Sequence, residues 1–135
     1  MLISQILTTL RCGNRLLDVS SPLVMSILNI TPDSFYSASR IGDNPQKILK
    51  KVSEMVSEGA RIVDIGGIST RPGATEITID EELKRVIPVI ELVVEAFPSL
   101  IVSIDTYRSE VAERAIRAGA TLINDISGGQ VDNRI

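Results

Sequence analysis

Polar residues recur where apolar runs end. Asn29 closes 23-LVMSILNI-30, and Thr70 and Arg71 follow 61-RIVDIGG-67. Asp105 ends 100-LIVSID-105, and Asn124 with Asp125 stands near the end of 121-TLINDI-126. Asn and Asp are poor strand formers, so propensity does not explain them. An Asp accepts hydrogen bonds from ring N–H groups, and an Asn both donates and accepts. Arg71, beside Gly66, Gly67 and Gly73, suits phosphate as a planar fork. Asn29 offers an oxygen to a hard cation such as Mg²⁺, which bridges phosphates. The set suits a polar, planar heterocycle with an anionic tail. The turn after Asn29 adds Thr31, Pro32, Asp33, Ser34 and Phe35, with no packing pattern to account for them.

Each group has a plainer reading. Asp105 or Thr106 caps the following helix, and Asn29 to Ser34 form an Asx-type turn. Arg71 is a solvated surface charge, the loop 66-GGISTRPGA-74 is a glycine-rich connection, and Asn124 closes a local turn. These readings must all hold together, at positions that share one rim, and that joint coincidence is the weaker account.

The rim follows from the elements. Residues 6–17 read as a hairpin about Gly13-Asn14. The chain then repeats strand, polar loop, helix, glycine. Asn44 and Pro45 open a helix whose Ile48, Leu49, Val52, Met55 and Val56 form one face, and Gly59 closes it. Thr78 and Glu81 have capping-box spacing before a helix with Leu83, Val86, Ile87, Ile90, Val93, Val94 and Phe97 inside, kinked at Pro88. A third helix spans Arg108 to Ala118 and ends at Gly119. The near-continuous apolar strands predict a parallel sheet buried on both faces. In such folds ligands bind at the carboxyl ends of the strands.

Composition narrows the classes. The 135 residues suit one domain, with a hairpin over 1–20 and β/α units one to four over 21–135. A net charge of −3 without charge blocks argues against nucleic-acid or membrane-surface binding. No apolar run reaches the ~18 residues of a membrane helix, and the start MLISQILTTLRCG does not read as a signal peptide. The lone cysteine, Cys12, predicts a reducing, cytoplasmic setting. The sequence has no histidine, so His-based nucleophile systems and metal sites are excluded for it.

The blocks ILNITPDSF, DIGGISTRPGA, EELKRVIPVIE, SIDTYRSEVAERAI and LINDISGG, in this order, resemble dihydropteroate synthase. That resemblance implies a (β/α)8 barrel. It also implies the joining of 6-hydroxymethyl-7,8-dihydropterin diphosphate to 4-aminobenzoate, releasing pyrophosphate, in folate biosynthesis. Sulfonamides mimic the aminobenzoate in this family. By resemblance, Asn29 binds Mg²⁺ near the pyrophosphate, and Thr70 and Arg71 lie on the second mobile loop near the diphosphate. Asp105 and Asn124 hydrogen-bond the pterin. Phe35, on the first mobile loop, lies near the aminobenzoate. Asn29 and Arg71 are the catalytic assignments. Many members carry an acid shortly after the loop phenylalanine, where this chain has Ser37.

A (β/α)8 barrel needs roughly 250 residues, whereas this chain carries four strands, so it reads as the amino-terminal half of a synthase, inactive alone. The competing readings are a non-catalytic pterin-binding half-barrel or remnant, and a pterin-binding methyltransferase. Open sheet edges predict a homo-oligomer or aggregation.

Overall fold

The computed structural model describes residues 8–30, 44–68 and 76–135. Strands β1 (Thr9–Cys12) and β2 (Arg15–Asp18) pair antiparallel, with Cys12 opposite Arg15. Only Gly13 and Asn14 lie between them, and Gly13 takes the positive φ of 62° that the reversal requires. Residues 6 and 7 of the expected hairpin lie outside the described residues.

The main sheet is parallel and in sequence order: β3 (Val24–Asn29), β4 (Ala60–Gly66), β5 (Ile101–Asp105) and β6 (Leu122–Asn124). Helix α1 (Pro45–Ser57) connects β3 to β4, α2 (Ile79–Ala96) connects β4 to β5, and α3 (Ser109–Arg117) connects β5 to β6. Four parallel strands with three helices are the first half of a β/α barrel.

Local chemistry sets the helix ends. The Asn44 side chain accepts from Lys47 N at 3.0 Å, and Pro45 follows it. Thr78 Oγ1 accepts from Glu81 N at 3.2 Å, while Glu81 turns to Arg85 rather than back to the cap. Gly59 (φ 105°) and Gly119 (φ 111°) close α1 and α3. Helix α2 runs unbroken through Pro88. On α1, Ile48, Val52 and Met55 are buried, but Val56 is exposed, so the expected face is narrower than the apolar pattern.

Side chains alternate across the sheet. Leu28, Val63, Ile65, Val102 and Ile104 point to the helices and form the main core with Val86, Val89, Ile90, Val93, Val111 and Ala115. The opposite face carries Ile62, Ile101 and Leu122 at its amino end, where Cys12 and Leu17 of the hairpin pack on them. Toward the carboxyl end that face carries Asp64, Ser103, Asp105 and Asn124, of which Asp64 and Ser103 are buried.

Strand β6 is shorter than its apolar pattern suggests. Pairing stops at Asn124 because Asp125 folds into a turn, its carboxylate accepting from Ser127 N at 2.8 Å and Gly129 N at 2.7 Å. Asp125 is thereby held by its own loop. Desolvation raises its carboxyl, but the bonds from Gly129 and Ser127 together outweigh that and leave it below the usual range.

Candidate functional site

The strand registers align one row across the carboxyl rim. Asn29 pairs with Gly66, Gly66 with Asp105, and Asp105 with Asn124. Backbone bonds carry the pairing past the row: Ile30 N donates to Gly66 O at 2.7 Å, and Thr106 N donates to Asn124 O at 3.2 Å. Three of the residues singled out in the sequence therefore stand side by side on the face away from the helices. Thr70, Arg71 and Phe35 lie outside the described residues, as does nearly all of the two loops that carry them.

Gly66 is the gap in the row. A Cβ placed there would meet Asp105 Oδ2 at 3.4 Å and Asn29 Oδ1 at 3.7 Å. Both oxygens thus lie around one small space that any larger residue would fill. An acceptor-lined space of this size suits a donor group or a hard cation.

One site residue escaped the sequence reading. Asp64, on β4 two residues before Gly66, is 2% exposed and shares the face of Asp105. Asn124 Nδ2 donates to its Oδ2 at 2.8 Å. Its Oδ1 is buried and has no hydrogen-bond partner among the described residues, and the same holds for Oγ of Ser103, its register neighbour on β5. The signal was available, since Asp64 interrupts the run Ile62, Val63, Ile65 with a charge. Burial, then the negative charges of Asp64 and Asp125, pushes the Asp105 carboxyl above its ordinary range. Three carboxylates near one rim favour a ligand that brings hydrogen-bond donors or positive charge.

A second buried carboxylate was also passed over. Glu82 of α2 is fully buried. Thr106 Oγ1 donates to its Oε1 at 2.7 Å and Arg108 Nη1 to its Oε2 at 2.9 Å. Arg108 Nη2 also donates to Ile77 O at 2.7 Å, and Arg85 Nη1 donates to Gly67 O at 3.0 Å. The two arginines thereby hold the residues on either side of the stretch that contains Thr70 and Arg71. Gly67 is required for this packing, because a Cβ there would come within 2.8 Å of Val86 Cγ1. Burial pushes the Glu82 carboxyl up, although Thr106 and Arg108 pull it back.

Among the described residues no group of three or more His, Cys, Asp or Glu side chains could hold a metal ion. No described helix is long and apolar enough to cross a membrane.

A family model described as pterin binding enzyme matches residues 25–135. The dihydropteroate synthase of Bacillus subtilis is 49% identical over 113 residues, which is 84% of this chain and 39% of that protein. The structure of Xanthomonas albilineans dihydropteroate synthase with 4-aminobenzoic acid superposes with a TM-score of 0.83 at 42% identity, covering 94% of this chain and 46% of that one. The Yersinia pestis dihydropteroate synthase in complex with a sulfonamide drug gives 0.78 at 45% identity, covering 90% and 44%. The chain spans less than half the length of these synthases.

Proposed function

The chain belongs to the pterin-binding enzyme family, and from that premise we propose that it supplies the first four strands of a dihydropteroate synthase site. The reaction would join 6-hydroxymethyl-7,8-dihydropterin diphosphate to 4-aminobenzoate, releasing pyrophosphate, in the cytoplasm. The observation that carries this reading is the in-register row of Asn29, Gly66, Asp105 and Asn124 on the sheet face away from the helices. A pterin edge rich in N–H groups answers the acceptors of Asp105 and Asn124. Asn29 would hold Mg²⁺ with the diphosphate oxygens, and Thr70 and Arg71 would bind the same anionic tail. The metal, when bound, stabilises charge on the departing pyrophosphate. Phe35 would border the aminobenzoate, where a sulfonamide would compete.

Half of a polar shell leaves pterin groups unpaired, which is costly in a partly dry pocket. The isolated chain should therefore bind a pterin weakly and make no dihydropteroate. Mixing it with a separately produced remainder of the Bacillus subtilis relative should restore dihydropteroate formation, and Asp105→Ala should abolish it. Turnover by the purified chain alone would overturn the half-site reading. Methyl transfer from methyl-tetrahydrofolate by the reassembled protein, in place of turnover of the diphosphate, would assign the chain to methyltransferase chemistry.

The chain should also self-associate. Strands β3 and β6 are edges of the described sheet, and Val24, Met25, Ile27 and Ile123 are exposed at 41–63%. Open apolar edges recruit partners. Light scattering across concentration should show a dimer or larger species, and Ile27→Lys should shift it toward monomer. A concentration-independent monomer in the parent chain would refute this.

A further inference from the structure

A carboxylate offers lone pairs only. Asp64 therefore dictates which end of the Asn124 amide faces it. An oxygen-to-oxygen contact at the observed 2.8 Å would be repulsive, so the group donating to Asp64 Oδ2 is Nδ2. That choice leaves Asn124 Oδ1 and the second Nδ2 hydrogen for other partners. Asp105, paired in register with Asn124, adds a further acceptor. The rim thus offers a fixed order of acceptors and one donor.

Asp64 is placed to enforce that order. It is 2% exposed, and its strand is held on both sides by β3 and β5. Its Oδ1 has no partner among the described residues, although buried carboxylate oxygens are ordinarily paired. A group serving stability alone would be expected to satisfy both oxygens, as Glu82 does through Thr106 and Arg108.

We propose that Asp64 is a positioning residue that fixes the amide orientation of Asn124, and with it the donor–acceptor order presented to a heterocyclic ring. This rests on the pterin reading above for the identity of that ring. Asp64→Asn keeps the shape but brings a donor, so the introduced amide can donate to Asn124 Oδ1 and turn the Asn124 amide over. The introduced amide can also accept from Asn124 Nδ2 through its own oxygen, so the pair stays bonded while the order shown to the ligand is no longer fixed.

The experiment uses the full 135-residue chain and 6-hydroxymethylpterin as probe. Asp64→Asn should weaken binding by about tenfold, the scale of one hydrogen bond to a charged group, with little change in thermal midpoint. The swap Asp64→Asn with Asn124→Asp should keep the pair and the midpoint without restoring affinity. A structural role alone predicts the opposite, with affinity following the midpoint. Equal binding by parent and D64N would overturn the proposal. If the parent binds no pterin, the functional reading fails, and the proposal is then decided by NMR on the unmodified chain. A scalar coupling through the hydrogen bond from Asn124 Nδ2 to the Asp64 carboxylate supports it, and an Asn124 amide without that coupling, in free rotation or fast exchange, overturns it. The NMR measurement needs no variant to fold.

Discussion

The same four strands show two different faces. On the helix side, Leu28, Val63, Ile65, Val102 and Ile104 are each at most 2% exposed and belong to one apolar cluster. On the other side, Ile27 is 63% exposed and Met25 41%, and the row toward the rim is polar. Buried carboxylates differ in the same way. Glu82, beyond the helix-side core, has both oxygens paired. Asp64, on the open face, has one oxygen without a partner among the described residues. Over β3, β4 and β5 the helix-side face completes itself within the chain, while on β6 Ile123 stays exposed. The other leaves apolar surface and hydrogen-bonding capacity for something the described residues do not supply. Stability and function are divided by the two-residue alternation of a strand.

The largest effect should come from the closed face. Ile65→Ala removes a fully buried side chain among α1, α2 and the sheet. It should cost about 2–5 kcal/mol, measured by urea unfolding. Ile27→Ser, on the opposite face of β3, should change stability by no more than about 0.5 kcal/mol at concentrations where the chain is dissociated, as exposed sites do. Comparable losses at the two positions in the dissociated chain would break the comparison, because they would mean that the open face is covered within a single chain.

Next comes Arg108→Ala. It strips Glu82 of its Arg108 bond and Ile77 O of its donor. A buried carboxylate left without its cation should cost about 3 kcal/mol, since burial already pushes its carboxyl up. Arg108→Ala with Glu82→Gln should recover part of that loss, because the neutral amide needs no counter-charge. Absence of recovery would show that Arg108 acts through Ile77 and not through Glu82.

What the sequence disclosed follows from how far each cause reaches. The hairpin turn at Gly13-Asn14, the caps at Asn44 and Thr78, and the closing glycines Gly59 and Gly119 depend on neighbours a few residues away. The shared rim of Asn29, Asp105 and Asn124 was legible because each apolar run ends at the same row of the parallel register. Glu82 and Arg85 were missed because a helical face was counted in apolar residues, and both charges sit on that face. Their burial is explained by Thr106 and Arg108, more than twenty residues away, and by Gly67. Asp64 was passed over as an irregularity in a strand, since its partner Asn124 is sixty residues on. The overrun of β6 has the reverse cause: a local turn at Asp125 ended a pattern that apolar content alone would have extended.

The smallest effect is expected at Asp105, and it tests whether the polar rim carries a stability cost. Burial, then the charges of Asp64 and Asp125, raises this carboxyl above its ordinary value of 3.8. A raised value means that the folded chain binds the proton more tightly than the unfolded chain. The resulting stabilisation is fully present below 3.8 and is lost as pH rises through the raised value. At neutral pH the ionised Asp105 is therefore a liability, held at under about 1 kcal/mol because the group is partly exposed and screened. Asp105→Asn should raise the thermal midpoint slightly near neutrality and flatten its slope just above 3.8. Glu82, raised in the same sense from 4.5, leaves part of that slope in place. Asp132 cannot imitate the effect. Bonds from Arg134 and Ser109 pull its carboxyl far down, so its contribution is present above 3.8 and fades only as pH falls further. Parallel midpoint-against-pH curves for parent and D105N would mean that Asp105 is not strained by its neighbours. A gain at neutrality with pterin binding lost would instead mark Asp105 as a group kept in place for its ligand, on the sheet face away from the helices.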